Sequence, residues 1–179
     1  ERNRTGNLSE KQVRQLGVVK RNSAHLSRLI SDLLDISKIE SPEFTLTKTD
    51  FDLSEVAQEL VESLEPLAIA KDQHIVSISN EKIPIVGDKQ KVTQVISNLI
   101  ENAVKYSPAD ATITIETLLN NGDAEITIND TGYGISKADQ EQIFEAFFRS
   151  RTEENWEVPG TGLGLALVKR VVSMHGGNV

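Results

Sequence analysis

The segment that most constrains this chain is residues 8–40, which contain no proline and place apolar residues at helical spacings. Gly17 is the only interruption of that pattern. The apolar stripe is broader than the seam of a two-stranded coiled coil and comprises Leu16, Val19, Leu26, Leu29, Ile30, Leu33, Leu34, Ile36 and Ile39. A long helix with so broad an apolar face is not stable alone in water. It therefore requires several partners, as in a helical bundle.

Two interpretations of this helix remain open. It is either a packing helix of one compact domain or a helix of a dimerising bundle. The second is favoured, because nothing else in the first 40 residues could cover the apolar side. Ser41-Pro42 then breaks the helical pattern. We therefore predict a helical unit at 1–41, dimerising through 8–41, and a second domain at 42–179.

The second domain alternates strands and helices without the regular rhythm of a doubly wound parallel sheet. Its patterns predict strands at 44–50, 74–79, 83–86, 112–119 and 124–129, and helices from 52 to about 71 and at 88–105, 138–144 and 162–175. Asn121-Gly122-Asp123 indicates a hairpin, and Gly176-Gly177 ends the last helix. The expected fold class is α+β, a two-layer α/β sandwich in which helices cover one face of a mixed sheet.

Charge and composition narrow the classes of partner. The 27 acidic and 19 basic residues leave a formal charge of -8, which disfavours nucleic acid and anionic lipid. The absence of cysteine excludes disulfides and thiol chemistry. No apolar run reaches the roughly 20 residues that cross a bilayer, and no signal peptide opens the chain. We therefore expect a cytoplasmic fragment without direct membrane contact, and the sequence leaves open whether its parent protein is anchored in a membrane.

The predicted helix at 88–105 has one apolar and one polar side. The polar side carries Asn98 and Asn102 one turn apart, with Lys105 beside them. An amide oxygen is a suitable ligand for Mg²⁺ that arrives with phosphates, and a lysine suits the phosphates themselves. Taken alone, this side is better explained as a solvated helix face.

Two glycine-containing segments follow. Asp130-Thr131-Gly132-Tyr133-Gly134-Ile135 comes directly after a strand, where a carboxylate could accept a hydrogen bond from the exocyclic amine of adenine. Glycines there let the backbone approach a planar base, although a plain turn explains the same residues. Gly160-Thr161-Gly162-Leu163-Gly164-Leu165 opens the last helix, and helix N-termini present free N–H groups to phosphate. The polar stretch at 150–159 has the character of a lid, in which Trp156 is either a packing residue or an exposed aromatic.

Taken in order, these segments resemble the ATP-binding catalytic domain of sensor histidine kinases, which belongs to the superfamily shared with DNA gyrase, MutL and the ninety-kilodalton heat-shock chaperone. The stretch 98–106, Asn-Leu-Ile-Glu-Asn-Ala-Val-Lys-Tyr, resembles the N box, and 130–134 resembles the first glycine box. The stretch 143–149, Ile-Phe-Glu-Ala-Phe-Phe-Arg, resembles the F box, and 160–165 the second glycine box. Residues 29–40 are similar to the second helix of the dimerisation domain.

The resemblance implies a Bergerat-type fold that binds ATP and Mg²⁺. The nucleotide would be bound by Asn98, Asn102, Lys105, Tyr106, Asp130, Gly132, Gly134, Ile135, Gly160, Thr161, Gly162, Leu163, Gly164 and Leu165. Asn102 would be the metal ligand, and Asn98, Lys105 and Arg149 would be the catalytic residues around the phosphates. Catalysis of phosphoryl transfer consists mostly of positioning and charge stabilisation, which suits these residue types.

Three departures refine the implied function. ATP-hydrolysing relatives carry a glutamate where this chain has Asn98, so the site is expected to preserve the γ-phosphate for transfer. The family's phosphoacceptor histidine lies on a first dimerisation helix that is not present here, and His25, His74 and His175 do not match it. We therefore expect the fragment to bind Mg-ATP without phosphorylating itself. The family also continues past Val179 with one or two more strands.

The implied partners are the phosphoacceptor helix of the parent protein and the receiver domain of a response regulator. Two alternatives stay open at this level. One is a serine-directed protein kinase of the same fold, and the other is a non-catalytic module that senses nucleotide or holds a dimer together.

Overall fold

The computed structural model describes residues 8–41, 44–79, 81–150, 158 and 160–179. In that part of the chain the helices are α1 (Glu10–Glu40), α2 (Leu53–Ile69), α3 (Lys89–Tyr106), α4 (Lys137–Gln140) and α5 (Gly164–Met174). The strands are β1 (Thr49–Asp52), β2 (His74–Ser79), β3 (Pro84–Gly87), β4 (Thr112–Asn120) and β5 (Asp123–Asp130).

The strands form two small sheets. β1 pairs antiparallel with β3, and a separate sheet has the order β2-β4-β5. In the second sheet β2 runs parallel to β4, whereas β4 and β5 form an antiparallel hairpin. The helices α2 and α3 pack against one face of this mixed sheet. The predicted α+β class, with helices on one face of a mixed sheet and a long helix before it, is confirmed.

The main core lies between α2, α3 and the sheets. Side chains of α3 that point towards the strands are fully buried, with Ile96 and Ile100 both at 0% exposure. They meet Ile113 and Ile115 of β4, which alternate with more exposed residues as expected for a strand that is covered on one face. This packing fixes the position of α3, so its opposite, polar side is held at the surface of the sandwich.

A second apolar cluster joins three helices. Val95 of α3 and Leu167 and Val171 of α5 pack together, and Ile39 near the end of α1 joins them at 1% exposure. The end of α1 therefore docks on the domain. The apolar residues nearer the start of α1 remain exposed; they include Leu16, Val19, Leu26, Ile30 and Leu33, at 45–58%.

Local signals set the ends of these elements. Asp52 caps α2 by accepting a hydrogen bond from the Ser54 backbone N–H at 2.9 Å, and Asp88 caps α3 through the backbone N–H of Lys91 at 3.1 Å. The β4–β5 hairpin turns at Asn121 and Gly122, both with positive φ (53° and 93°), as a tight two-residue turn requires.

Three predicted boundaries were wrong. The strand predicted at 44–50 begins only at Thr49, because its partner β3 ends opposite at Gly87 and the Thr47 backbone N–H bonds to the Asp88 carboxylate instead. The helix predicted at 138–144 ends at Gln140 and continues as turns. The last helix starts at Gly164 rather than 162, because Gly162 has a φ of +73°.

Residues 151–157 and 159 of the predicted lid segment, including Trp156, and the side chain of His25 lie outside the described residues. Among the helices of the described part, none combines the length and apolar character needed to cross a bilayer.

Candidate functional site

A cavity of about 560 Å³ lies where the polar side of α3 faces the loop after β5 and the start of α5. It is lined by most of the residues singled out from the sequence: Asn98, Asn102, Lys105, Tyr106, Asp130, Gly134, Ile135, Arg149, Gly160, Thr161, Gly162, Gly164 and Leu165. Segments that are up to 67 positions apart in sequence thus meet around one space. Its volume lies within the roughly 300–1,000 Å³ typical of small-molecule sites.

Gly132 and Leu163, two of the predicted binding residues, do not line the cavity. Leu163 is 1% exposed and faces the interior. At Gly132, an added Cβ would lie 2.7 Å from the backbone oxygen of Tyr106 and 2.5 Å from an Asp130 carboxylate oxygen. The position therefore requires glycine because the loop after β5 packs closely on the end of α3.

The side of α3 that faces the cavity presents two half-buried amides, those of Asn98 and Asn102. Within the described part of the chain, neither amide is engaged in a side-chain hydrogen bond. The carboxylate of Glu101, which also lines the cavity, accepts a hydrogen bond from the Ser97 hydroxyl at 3.1 Å. The two amides are thus available to a ligand, whereas Glu101 already has a partner on its own helix.

Two cationic side chains converge at one end of the cavity, next to Gly160. An added Cβ at Gly160 would lie 2.8 Å from Lys105 Nζ and 3.8 Å from Arg149 Nε. Arg149 donates to the backbone oxygens of Val158 at 2.5 Å and Gly160 at 3.4 Å, and Lys105 Nζ lies 5.1 Å from the centroid of the Tyr106 ring. Two cationic groups therefore line this part of the cavity although the whole chain is acidic, and they favour an anionic group there.

Another part of the cavity wall is formed by the loop after β5. An Asp130 carboxylate oxygen accepts a hydrogen bond from the Gly132 backbone N–H at 2.9 Å, which fixes the loop. Gly134 has a φ of +72°, and the side chains of Tyr133 and Ile135 stand 43% and 44% exposed on the cavity wall. A carboxylate beside apolar and aromatic surface suits a flat ring that carries an amine donor.

The start of α5 closes the cavity below the cationic end. Leu163 at the N-cap makes no side-chain capping bond, and the Thr161 hydroxyl oxygen accepts from the Leu163 backbone N–H at 3.2 Å. An added Cβ at Gly162 would lie 2.7 Å from the Phe147 carbonyl carbon, so only glycine fits there. Gly164 and Leu165, the first residues of α5, line the cavity, so a helix N-terminus, which is a favourable site for phosphate, borders it.

Comparison with known proteins decides the family. Residues 87–179, just over half of the chain, match the model of the histidine kinase-, DNA gyrase B- and HSP90-like ATPases. The chain belongs to this family. It is 31% identical over 179 residues to the sensor protein GacS of Pseudomonas syringae pv. syringae, covering 96% of this chain and 20% of GacS. It is 32% identical over 171 residues to the sensor histidine kinase WalK of Bacillus subtilis, covering 93% of this chain and 28% of WalK.

A solved structure supports the same assignment. The crystal structure of full-length ShkA in complex with AMPPNP has a TM-score of 0.78 and 25% identity, covering 95% of this chain and 35% of ShkA. This chain is thus of the ATP-binding catalytic type found in sensor histidine kinases. It spans only about a fifth to a quarter of the length of several curated relatives that it matches.

The sequence patterns missed one residue of this cavity that comes from α1. Asp32 lines the cavity, and its carboxylate accepts a hydrogen bond from the Thr161 hydroxyl at 3.1 Å. Nearby, Asp35 forms an ion pair with Lys91 at 3.5 Å and accepts from the Gln94 amide at 2.8 Å. These contacts join α1 to the described residues from 44 onwards, which we call the nucleotide domain. Asp32 and Thr161 are 129 positions apart in sequence, so no local pattern predicts their contact.

Aromatic residues from the F-box segment complete the wall. Phe144 and Phe148 line the cavity with Ile143, whereas Phe147 points away, is 60% exposed and adopts a φ of +67°. The sequence identified this segment by resemblance but not which of its aromatic residues faces the site. The four-residue spacing of Phe144 and Phe148, from which Phe147 departs, was the available signal.

The donor set fits a magnesium ion that arrives with its nucleotide. In the described part of the chain, no group of three or more histidine, aspartate or glutamate residues converges as a metal site. Mg²⁺ is commonly held by one or two protein oxygens together with phosphates and water. The available amide oxygens of Asn102 and Asn98 meet that requirement.

Proposed function

We propose that this chain binds Mg-ATP in the cavity and supplies the γ-phosphoryl group to a histidine outside the chain, within a sensor histidine kinase. The parent protein would then pass the phosphoryl group to an aspartate of a response-regulator receiver domain. The observation that carries the proposal is the lining of one cavity, which includes the cationic Lys105 and Arg149 beside Gly160 and also the Asp130 carboxylate in the loop after β5.

Adenine would be recognised at the end formed by the loop after β5. The Asp130 carboxylate accepts a hydrogen bond from the exocyclic amine, and the Ile135 side chain packs on the ring. Guanine would place a carbonyl oxygen against the carboxylate, so two acceptors would face each other. The site therefore selects ATP over GTP.

The triphosphate would extend towards Gly160, where Lys105 and Arg149 lie. Asn102 would hold Mg²⁺ through its amide oxygen, with Asn98 supporting the phosphates. The ion would offset the negative charge of the phosphate oxygens during transfer. Lys105, Arg149 and the first N–H groups of α5 would orient the γ-phosphoryl group, which is the main requirement of this chemistry.

In the transfer step, a ring nitrogen of the acceptor histidine forms a bond to the γ-phosphorus while the bond to the β,γ-bridging oxygen breaks. ADP leaves, and the imidazole proton is released to solvent. The chain has no carboxylate where the hydrolytic relatives place one, since Asn98 occupies that position, and Glu101 is bonded to Ser97. Both features favour transfer over attack by water.

Neither histidine whose side chain is described reaches the cavity. His74 begins β2, and His175 follows α5, where its Nε2 accepts from the Asp88 backbone N–H at 3.0 Å. This supports an acceptor on another helix of the parent protein. The exposed apolar side of α1 supports a homodimer through residues 8–41. In this dimer α1, the acceptor helix and their copies in the second subunit would complete a bundle.

The test is the Asn102→Ala variant. We expect the Mg²⁺-dependent affinity for a non-hydrolysable ATP analogue, measured by calorimetry, to fall about 100-fold or more, the upper end of what loss of a metal-supporting group costs. The fold should be unchanged, because Asn102 belongs to the polar side of α3. Asn129→Ala, on the strand β5 and away from the cavity, should bind like the wild type.

Saturable binding that is the same in Asn102→Ala and the wild type would contradict the metal assignment. A wild-type chain that takes up no ATP analogue would contradict the proposed function as a whole. Transfer is tested separately, by adding a histidine-bearing dimerisation segment of the parent and measuring acid-labile phosphate. Acid-stable phosphate would indicate a serine-directed kinase, and binding without transfer a nucleotide sensor.

A further inference from the structure

The turn between α2 and β2 sends a buried amide to the C-terminal end of α3. Gln73 is 1% exposed, and its Nε2 donates to the backbone oxygens of Ser107 at 2.8 Å, Pro108 at 2.9 Å and Val104 at 3.1 Å. An amide nitrogen has only two hydrogens, so the three acceptors share them. The orientation is fixed, because a reversed amide would place its own oxygen against three carbonyl oxygens.

Lys71, two residues earlier, reaches the same place. Its Nζ lies 2.7 Å from the Val104 oxygen and 3.2 Å from the Lys105 oxygen. The carbonyl groups of the last helical turn have no partners within the helix, and their dipoles favour a cation. Ser107 at the C-cap has an extended backbone (φ −105°, ψ 145°), so no left-handed glycine motif supplies the missing donors. Gln73 and Lys71 supply them instead.

This end of α3 carries part of the nucleotide site. Lys105 and Tyr106, both on the cavity wall, belong to the last turn of the helix. The Tyr106 backbone oxygen accepts from the Tyr133 backbone N–H at 3.1 Å, which ties the loop after β5 to the same turn. The position of one helical end therefore sets both the cationic end and the adenine end of the cavity.

The Gln73 side chain leaves one of its own polar atoms unpaired in making these contacts. Its Oε1 atom is buried without a hydrogen-bond partner in the described part of the chain. An apolar side chain of the same length would remove that unpaired atom but would also remove the donor to the Val104, Ser107 and Pro108 oxygens. The turn itself is also built around a residue of positive φ, Asp72 at 55°, which places Gln73 and Lys71 on the same side of α3.

We propose that Gln73, assisted by Lys71, is a positioning residue for nucleotide binding. It holds the last turn of α3 and, through that turn, sets the separation between Lys105 at the phosphate end and the Asp130 loop at the adenine end. Neither Gln73 nor Lys71 lines the cavity. The inference rests on the proposed function. It gives a role in nucleotide binding to two residues of the turn between α2 and β2, which does not touch the ligand.

The test compares Gln73→Met, which keeps the length and removes the donors, with the wild type. Calorimetry with a non-hydrolysable ATP analogue and Mg²⁺, at a temperature where circular dichroism shows both chains fully folded, should give about tenfold weaker binding. Lys71→Met should weaken binding in the same direction and to a smaller extent. It also carries the test if Gln73→Met does not fold.

The matched control is Val56→Ala, a cavity-forming substitution on α2 in the main core and away from the end of α3. It should lower the melting temperature at least as much as Gln73→Met and leave nucleotide affinity unchanged. Equal loss of affinity in Val56→Ala, or wild-type affinity in the glutamine and lysine variants, would overturn the inference and reduce Gln73 to a stabilising residue. If the wild type itself fails to bind, the proposed function falls first.

Discussion

The two longest helices, α1 and α3, have similar amphipathic sequences but different surroundings. In α3 the apolar side is covered by the sheets, by α2 and by α5, and Ile96 and Ile100 are fully buried. Among the α1 side chains that the structure describes, only Ile39 near the C-terminal end reaches that level of burial, whereas Leu26 and Ile30 stand 58% and 51% exposed. An apolar stripe predicts that a helix has a partner, but it does not say whether that partner belongs to the same chain.

The contacts at the end of α1 differ in kind from the exposed stripe. Asp32 and Asp35 make polar contacts with Thr161 and Lys91, next to the buried Ile39. The end of the helix therefore belongs to the nucleotide domain, and the rest presents an unoccupied apolar surface. We expect substitutions in the exposed stripe of α1 to change the stability of the fold less than substitutions at its docked end. The contrast should be largest between the exposed stripe and the buried side of α3.

The largest expected effect is the difference in stability loss when apolar volume is removed from α3 and from α1. Ile100→Ala should lower the free energy of unfolding by about 2–5 kcal/mol, because a buried cavity forms in the main core. Leu26→Ala on α1 should change it by less than about 0.5 kcal/mol in dilute solution, because the side chain is exposed. Urea unfolding monitored by circular dichroism measures both. Comparable losses in the two variants would show that α1 is covered within its own chain.

A second prediction concerns the partner of α1. The double variant Leu26→Glu, Ile30→Glu should weaken self-association by about 100-fold or more, since each buried leucine or isoleucine contributes about 1.5–3 kcal/mol to an interface. Analytical ultracentrifugation over a concentration series measures the dissociation constant. Ile69→Glu and Val86→Glu, which change equally exposed apolar residues on the nucleotide domain, should leave association unchanged.

If the controls dissociate the chain and the α1 variant does not, the dimer forms through the nucleotide domain and residues 8–41 have another partner. A wild-type chain that stays monomeric at high concentration would likewise remove the homodimer from the proposal.

Sequence reasoning was most successful where the information is local. The boundaries of α3 and of the β4–β5 hairpin follow from a capping aspartate, from Asn121-Gly122 and from clear apolar periodicity. The strand predicted at 44–50 was wrong because the length of a strand is decided by its partner, and β3 offers only four positions. The cavity residues were identified because four segments, taken in their order along the chain, resemble those of a known family. Each segment was ambiguous alone.

What could not be predicted depends on contacts across the fold. Asp32 joins the cavity wall through Thr161, and Gln73 reaches the end of α3 from another element. An aspartate on a long helix and a glutamine in a turn are ordinary surface residues by pattern. Their contacts, with a residue before a helix and with backbone carbonyl groups, can be seen only in the folded structure.

The smallest predicted effect again separates the two regions, because their helices are capped differently. α1 is capped by uncharged groups, with the Ser9 hydroxyl accepting from the Gln12 backbone N–H at 3.3 Å, whereas α2 is capped by the Asp52 carboxylate.

The Ser54 hydroxyl lowers the pKa of Asp52 below its ordinary value of 3.8, against an opposing effect of burial and with help from the Ile83 and Ser54 backbone N–H groups. Since the pKa is lower in the folded state, the charged cap stabilises the domain above about pH 4 and loses that contribution as the pH falls through the folded-state value. Asp52→Asn keeps an acceptor oxygen without the charge, so it should cost about 1 kcal/mol or less near pH 7, and the difference from the wild type should shrink as the pH falls below about 4. Urea unfolding over a pH series measures this. A difference that persists in acid would mean that the Asp52 geometry, and not its charge, stabilises the start of α2.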